Sequence, residues 1–214
     1  MRRIWLLSAV SLLFGTIAGK AAPEGTVPSN QKQAADQALA DTCAKVVCRK
    51  QTRSLSLRAS GGNVVRLHTE LYPYLDTRGE AIIFPGETIT LALPKDGNGP
   101  PNLLKVVDPD GPVDIGATSD SDSTLSFEFH QEEGKPDMLL TITSTVAAML
   151  KYDATMLVVT PGGVRRAHTS TCPILAARET AKTTFGTESW PQPIPMLVIS
   201  GIHAIPQGGP MNCT

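Results

Sequence analysis

The chain is poor in aromatic residues and carries no strong charge of either sign. Phe, Trp and Tyr make up 5% of its 214 residues, so its core has to be mainly aliphatic. Lys and Arg number 19 against 20 Asp and Glu, a formal charge of -1, and the cations form no block. That balance excludes the basic footprint of a nucleic-acid binder, which needs Lys and Arg clustered on one face. Beyond the N-terminal segment, no stretch approaches the ~18 consecutive apolar residues of a membrane-spanning helix. G-x-S-x-G and H-E-x-x-H are both missing, so the nucleophile elbow and the zinc-protease signature are not there. The glycines of "TPGGVRR" lie between strand-like segments rather than ahead of a helix, and do not make a phosphate loop. Internal repeats and heptads are also absent.

What is present starts with "MRRIWLLSAVSLLFGTIAGKAAP". Arg2 and Arg3 precede an apolar run from Ile4 to Ile17, and Gly19 and Ala21 supply small residues at a cleavage site. This layout predicts a secretory signal peptide over residues 1–21. No cysteine lies beside the cleavage site to take a lipid. Loss of Arg2, Arg3 and Lys20 would shift the formal charge by three units, from -1 to -4. The expected location is secreted or periplasmic, with no membrane span in the mature chain.

The four cysteines are Cys43, Cys48, Cys172 and Cys213. An even count in an exported chain points to two disulfides. Three connectivities are open, and pairing of near neighbours favours Cys43–Cys48 with Cys172–Cys213. Residues five apart point in different directions on a helix, so the first bond cannot lie within an unbroken one. The second would tie down a C-terminus that otherwise frays, stabilising by ~3–4 kcal/mol in the chain-entropy account.

Residues 22–53 read as a polar leader and one short helical segment: Ala35, Leu39, Thr42 and Val46 recur at helical spacing, with Ser29 or Asn30 as cap. From Ser54 the period becomes two. "SLSLR", "NVVRLHT", "ETITLAL", "STLSFEF" and "MLLTITS" each alternate, placing Leu55 and Leu57, Val65 and Leu67, Ile89 and Leu91, Phe127 and Phe129, and Leu140 and Ile142 inward. "ATMLVV" and "PMLVIS" are continuous apolar runs, as in strands covered on both faces. Turn signals such as "SGGN", "FPGE", "DPDGP" and "TPGG" separate them. Strands at short intervals without alternating helices predict an all-β sandwich over residues 54–214. In "FPGETITLAL", a Pro-Gly turn leads into an alternating strand. This unit resembles the start of a strand in immunoglobulin-like modules, which makes the expected sandwich immunoglobulin-like. The Cys and Trp spacing of true immunoglobulin domains is missing.

Several residues are candidates for binding. Asp108, Asp110 and Asp114 offer hard oxygen ligands for calcium near Gly-rich turns, although their spacing is not that of an EF-hand. His68 with Glu70, and His130 with Glu132, are spaced to share a strand face and could each give a metal two ligands. Tyr72 and Tyr74, on one expected strand face, and Trp190 in the "ESWPQPIP" loop could form a stacking platform for a glycan, or plug the end of a core. Arg165 and Arg166 beside Gly162 and Gly163 could meet an anion. Together these features suggest a binding or envelope-interaction module for an envelope protein or glycan, able to recruit a partner at a sheet edge. The alternatives are a hydrolase of an extracellular polymer and a calcium-stabilised structural module.

Overall fold

A computed structural model describes residues 29–116, 122–160, 163–178, 182–206 and 212–213. The expected signal peptide lies outside them. The described chain is an all-β fold with one α-helix, α1 (Ser29–Cys43). No strand pairs across α1, and Asp36, Gln37, Ala38, Ala40 and Asp41 are exposed. The helix ends at the Cys43–Cys48 disulfide, so the bond fastens the end of α1 to the body, as the five-residue spacing required.

Twelve strands follow: β1 (Ser54–Arg58), β2 (Val64–His68), β3 (Ala81–Ile83), β4 (Glu87–Ala92), β5 (Asn102–Asp108), β6 (Gly111–Val113), β7 (Thr124–Gln131), β8 (Met138–Ser144), β9 (Met149–Thr160), β10 (Gly163–Thr169), β11 (Thr184–Trp190) and β12 (Met196–Ile205). One sheet has six strands in the order β11-β8-β7-β4-β5-β6, and the other has four in the order β10-β9-β12-β3. β1 and β2 form a separate hairpin. Every pairing between strands is antiparallel.

The alternating sequences explain how the two sheets share a core. Leu125, Phe127 and Phe129 on β7 and Leu140 and Ile142 on β8 turn their side chains to one face, where they meet Leu150, Tyr152, Leu197 and Ile199 of the four-stranded sheet. The Phe127 and Tyr152 rings touch edge to face at 5.7 Å. The continuous runs on β9 and β12 have a different cause. Met156, Val158, Leu197 and Ile199 face this core, while Leu157, Met196 and Val198 join Phe84 and Ile82 on the opposite face. Leu55 from the β1–β2 hairpin and Tyr72 pack onto that second face. The four-stranded sheet is thus apolar on both sides.

Residues 47–53, read from sequence with the leader, belong to the body. Val47 packs on the core, Cys48 bridges to Pro73, and Arg49 is buried. The reason is a buried charge network. Glu87, fully buried, accepts from Arg49 Nε at 2.7 Å and Arg49 Nη2 at 2.5 Å, from Arg53 Nη2 at 2.5 Å and from the Phe84 amide at 2.8 Å. Arg49 also donates to the carbonyls of Tyr72, Pro73 and Ile82. Its guanidinium lies over the rings of Tyr74 and Phe84 at 4.2 and 4.5 Å. Loss of Glu87 would leave the buried guanidinium of Arg49, and the part-buried one of Arg53, without a counter-charge, a change that costs about 3–5 kcal/mol.

Candidate functional site

The predicted binding residues do not converge. Tyr74 is 2% exposed, in the main core beneath Arg49, and burial pushes its hydroxyl up to about 12. Tyr72 packs on the other side, tilted against Phe84 at 6.4 Å. The segment that holds them is a bridged loop, not a strand, so the two rings do not share a face. Trp190 is the last residue of β11 rather than part of a loop, and is 7% exposed. Its ring meets Phe129 edge to face. These positions correct the expectation of one stacking platform: Trp190 and Tyr74 spend their faces on the core.

Arg165 and Arg166 are adjacent on β10 and point to opposite faces. Burial is the main cause of the raised pKa of the Tyr72 hydroxyl, on which the charges of Glu70 and Arg166 act with opposite signs, Glu70 raising it and Arg166 lowering it. With His68 and Glu70, Tyr72 borders a small apolar cleft floored by Leu67, Phe84 and Met196. The cleft encloses only about 20 Å³, against the hundreds of Å³ of a typical ligand pocket. The carboxylates expected to hold calcium are spread out as turn formers. Asp108 accepts from the Asp110 amide, Asp114 from the Gly116 amide, and Asp110 from Gln51. Among the described residues, no three His, Cys, Asp or Glu gather into a metal cage. His130 Nδ1 stands 3.8 Å from Glu128, and Glu132 pairs with Lys135.

The feature that stands out is an edge of the six-stranded sheet. A free strand edge presents unpaired amides and carbonyls, and folded proteins usually guard it with charge, proline, a bulge or brevity. Of the four edges of the two larger sheets, three are guarded. β6 has three residues, one of them Pro112. β3 is also short, and Tyr74 and Leu75 cover it through the Tyr74 carbonyl and a bridge to Ala81. β10 carries Arg165, Arg166 and His168, all exposed. β11, "TFGTESW", has no Lys, Arg or Pro, and pairs with β8 in unbroken register from Thr184↔Ser144 to Trp190↔Met138. Among the described residues, no backbone group bonds to its outer side.

β11 is firmly held from within. Glu188, its one charge, accepts from the Tyr152 hydroxyl at 2.7 Å and from the Cys172 amide at 2.9 Å. Burial first, and then this carboxylate, push the Tyr152 hydroxyl far above the usual tyrosine range. Trp190 Nε1 donates to Thr169 Oγ1 on β10 at 2.9 Å, and Thr184 Oγ1 donates to the Leu175 carbonyl. The Cys172–Cys213 disulfide fixes the chain end beside Glu188. On the outer face stand Phe185, Thr187 and Ser189, next to Thr143, Thr141 and Leu139 of β8. Phe185 is 73% exposed. Gly186 has no positive φ, and a Cβ there would meet Ile142 at an ordinary 3.9 Å. Neither its own backbone nor its packing requires glycine, and a glycine inside a strand often marks close approach by another backbone.

No family model, curated protein or solved structure matches this chain. Two disulfides suit an oxidising compartment. No helix among the described residues is long and apolar enough to cross a membrane.

Sequence reasoning passed over Phe185 and Gly186. The available signal was a run between "AKT" and "WPQP" with β-forming residues and no basic or proline guard.

Proposed function

We propose that the chain is an exported binding module, an immunoglobulin-like sandwich that engages a protein of the cell envelope or its surroundings by strand addition along β11. One observation carries this reading: β11 is a long, unbulged edge without cation or proline, and it bears the most exposed large apolar side chain among the described residues, Phe185. Strand addition draws its affinity from main-chain hydrogen bonds, and those need a strand that is already ordered. The contacts from Glu188, Trp190 and Thr184 supply that order. The signal-peptide pattern and the paired cysteines support the exported setting.

The test is capture from cross-linked envelopes of the host, with the wild-type chain and a Phe185→Lys variant side by side. The expected result is a stoichiometric protein recovered by the wild type and lost by the variant. Equal recovery by both chains, or none by either, contradicts the reading.

A further inference from the structure

We infer that the β1–β2 hairpin is a hinged cover, fixed at its root and latched at its free end by Gln131, whose opening bares the second apolar face of the four-stranded sheet. The inference does not depend on β11. The hairpin stands apart in its bonding: among the described residues, no backbone hydrogen bond joins β1 or β2 to either larger sheet. A two-stranded hairpin is marginal by itself in water, so what it rests on decides whether it stays closed.

The root is firmly held. The Arg53 amide donates to Thr69 Oγ1 at 2.8 Å, and the Thr69 amide donates to the Arg53 carbonyl at 2.7 Å. Thr69 is buried, and the Arg53 side chain is held by Glu87. The tip is bonded to itself. The Ala59 amide donates to the Asn63 carbonyl, and Gly61 and Gly62 turn the chain with positive φ. One side chain ties this end to the body. Gln131 Oε1 accepts from the Arg58 amide at 2.8 Å, and Gln131 Nε2 donates to the Arg58 carbonyl at 2.8 Å and to the Pro136 carbonyl at 3.1 Å. Between root and latch the contact is apolar. Leu57 reaches the main core, while Leu55 and Leu67 share the small cleft with Phe84, Leu157 and Met196. About 20 Å³ of that cleft is left unfilled, so its walls forgo part of their dispersion contact. A fixed root, a one-residue latch and an underfilled apolar seat are what a segment needs to open as a unit without global unfolding.

The experiment is native-state hydrogen exchange on the purified chain, wild type and Gln131→Ala, read amide by amide. In the wild type, the cross-strand amides of β1 and β2 should exchange together, and faster than those of β9 and β12. Gln131→Ala removes the latch bonds and should speed exchange in the hairpin about tenfold or more, with β9 and β12 unchanged. A fluorescent apolar dye should also bind the variant more strongly, because Phe84, Leu157 and Met196 are uncovered more often. A hairpin that exchanges only at the rate of β9 and β12 opens solely by global unfolding, which overturns the inference. An unchanged hairpin rate in Gln131→Ala overturns the latch. Equal acceleration in every strand shows that Gln131 supports the whole fold, and overturns it as well.

Discussion

β10 and β11 are edges of equal length on the same side of the molecule, joined by the hydrogen bond from Trp190 to Thr169. They differ in what they show to solvent. β10 carries Arg165, Arg166 and His168, exposed in three of its seven positions. β11 shows Phe185, Thr187 and Ser189 and turns its one charge inward. Burial alone does not explain the contrast, because neither strand is deeply buried: β10 has no buried residue and β11 buries only Trp190. The difference lies in the guard. Charge on an edge opposes a second strand at little cost to folding, and its omission leaves an edge that a second strand can use.

The largest expected effect comes from breaking the link the two edges share. Trp190→Ala empties a space beside Phe129 and removes the bond to β10. It should cost about 3–5 kcal/mol in urea unfolding, and a loss below 1 kcal/mol would show that Trp190 does not anchor β11.

Next comes the inward charge of β11. Glu188→Ala leaves the buried Tyr152 hydroxyl without its acceptor, and should cost about 1–3 kcal/mol by the same measurement. The same pair gives a pH prediction. Burial raises the pKa of Tyr72, Tyr74 and Tyr152 in the folded chain, while an unfolded tyrosine titrates near 10. The unfolded state then loses protons first, so stability is fully present below about pH 10 and falls as pH rises beyond it. Tyr152→Phe should flatten this alkaline fall, and an unchanged slope would remove Tyr152 from the account.

A smaller change tests whether Gly186 is there for the chain's own sake. Gly186→Ala should stabilise the isolated chain by about 0.4–1 kcal/mol, since the site accepts a Cβ without strain. A loss of stability would mean that the glycine serves internal packing. The smallest expected effect on stability is also the sharpest test of the comparison. Replacing Arg165, Arg166 and His168 together by Thr should move stability by no more than about 0.5 kcal/mol and yet create a new self-associating edge. If light scattering shows no association, charge is not what guards β10.

Much of the fold was legible because its cause was local. Leu125, Phe127 and Phe129 alternate, and β7 is where that alternation placed it. The unbroken apolarity of "ATMLVV" and "PMLVIS" matched strands covered on both faces. The Cys43–Cys48 and Cys172–Cys213 pairings, favoured among three connectivities because they join near neighbours, are the ones formed. β11 was hidden because its inward positions are Thr184, Gly186, Glu188 and Trp190, a set without alternating apolarity. Glu188 belongs inside only because Tyr152 and Cys172 meet it there, which no local pattern reveals. The Arg49–Glu87–Arg53 network was invisible for the same reason, since its members come together only through the fold. Tyr72 and Tyr74 misled because period-two spacing was read as a strand where the chain forms a bridged loop.

β11, rather than β10, is the edge that engages a partner under this reading. The most direct test places a photo-crosslinking benzophenone residue at position 185 on β11 and, in a separate chain, at position 165 on β10, both exposed, and compares adducts in intact host cells. The account predicts a discrete protein adduct from position 185 and none from position 165. Equal adducts from both positions, or an adduct from 165 alone, would contradict it.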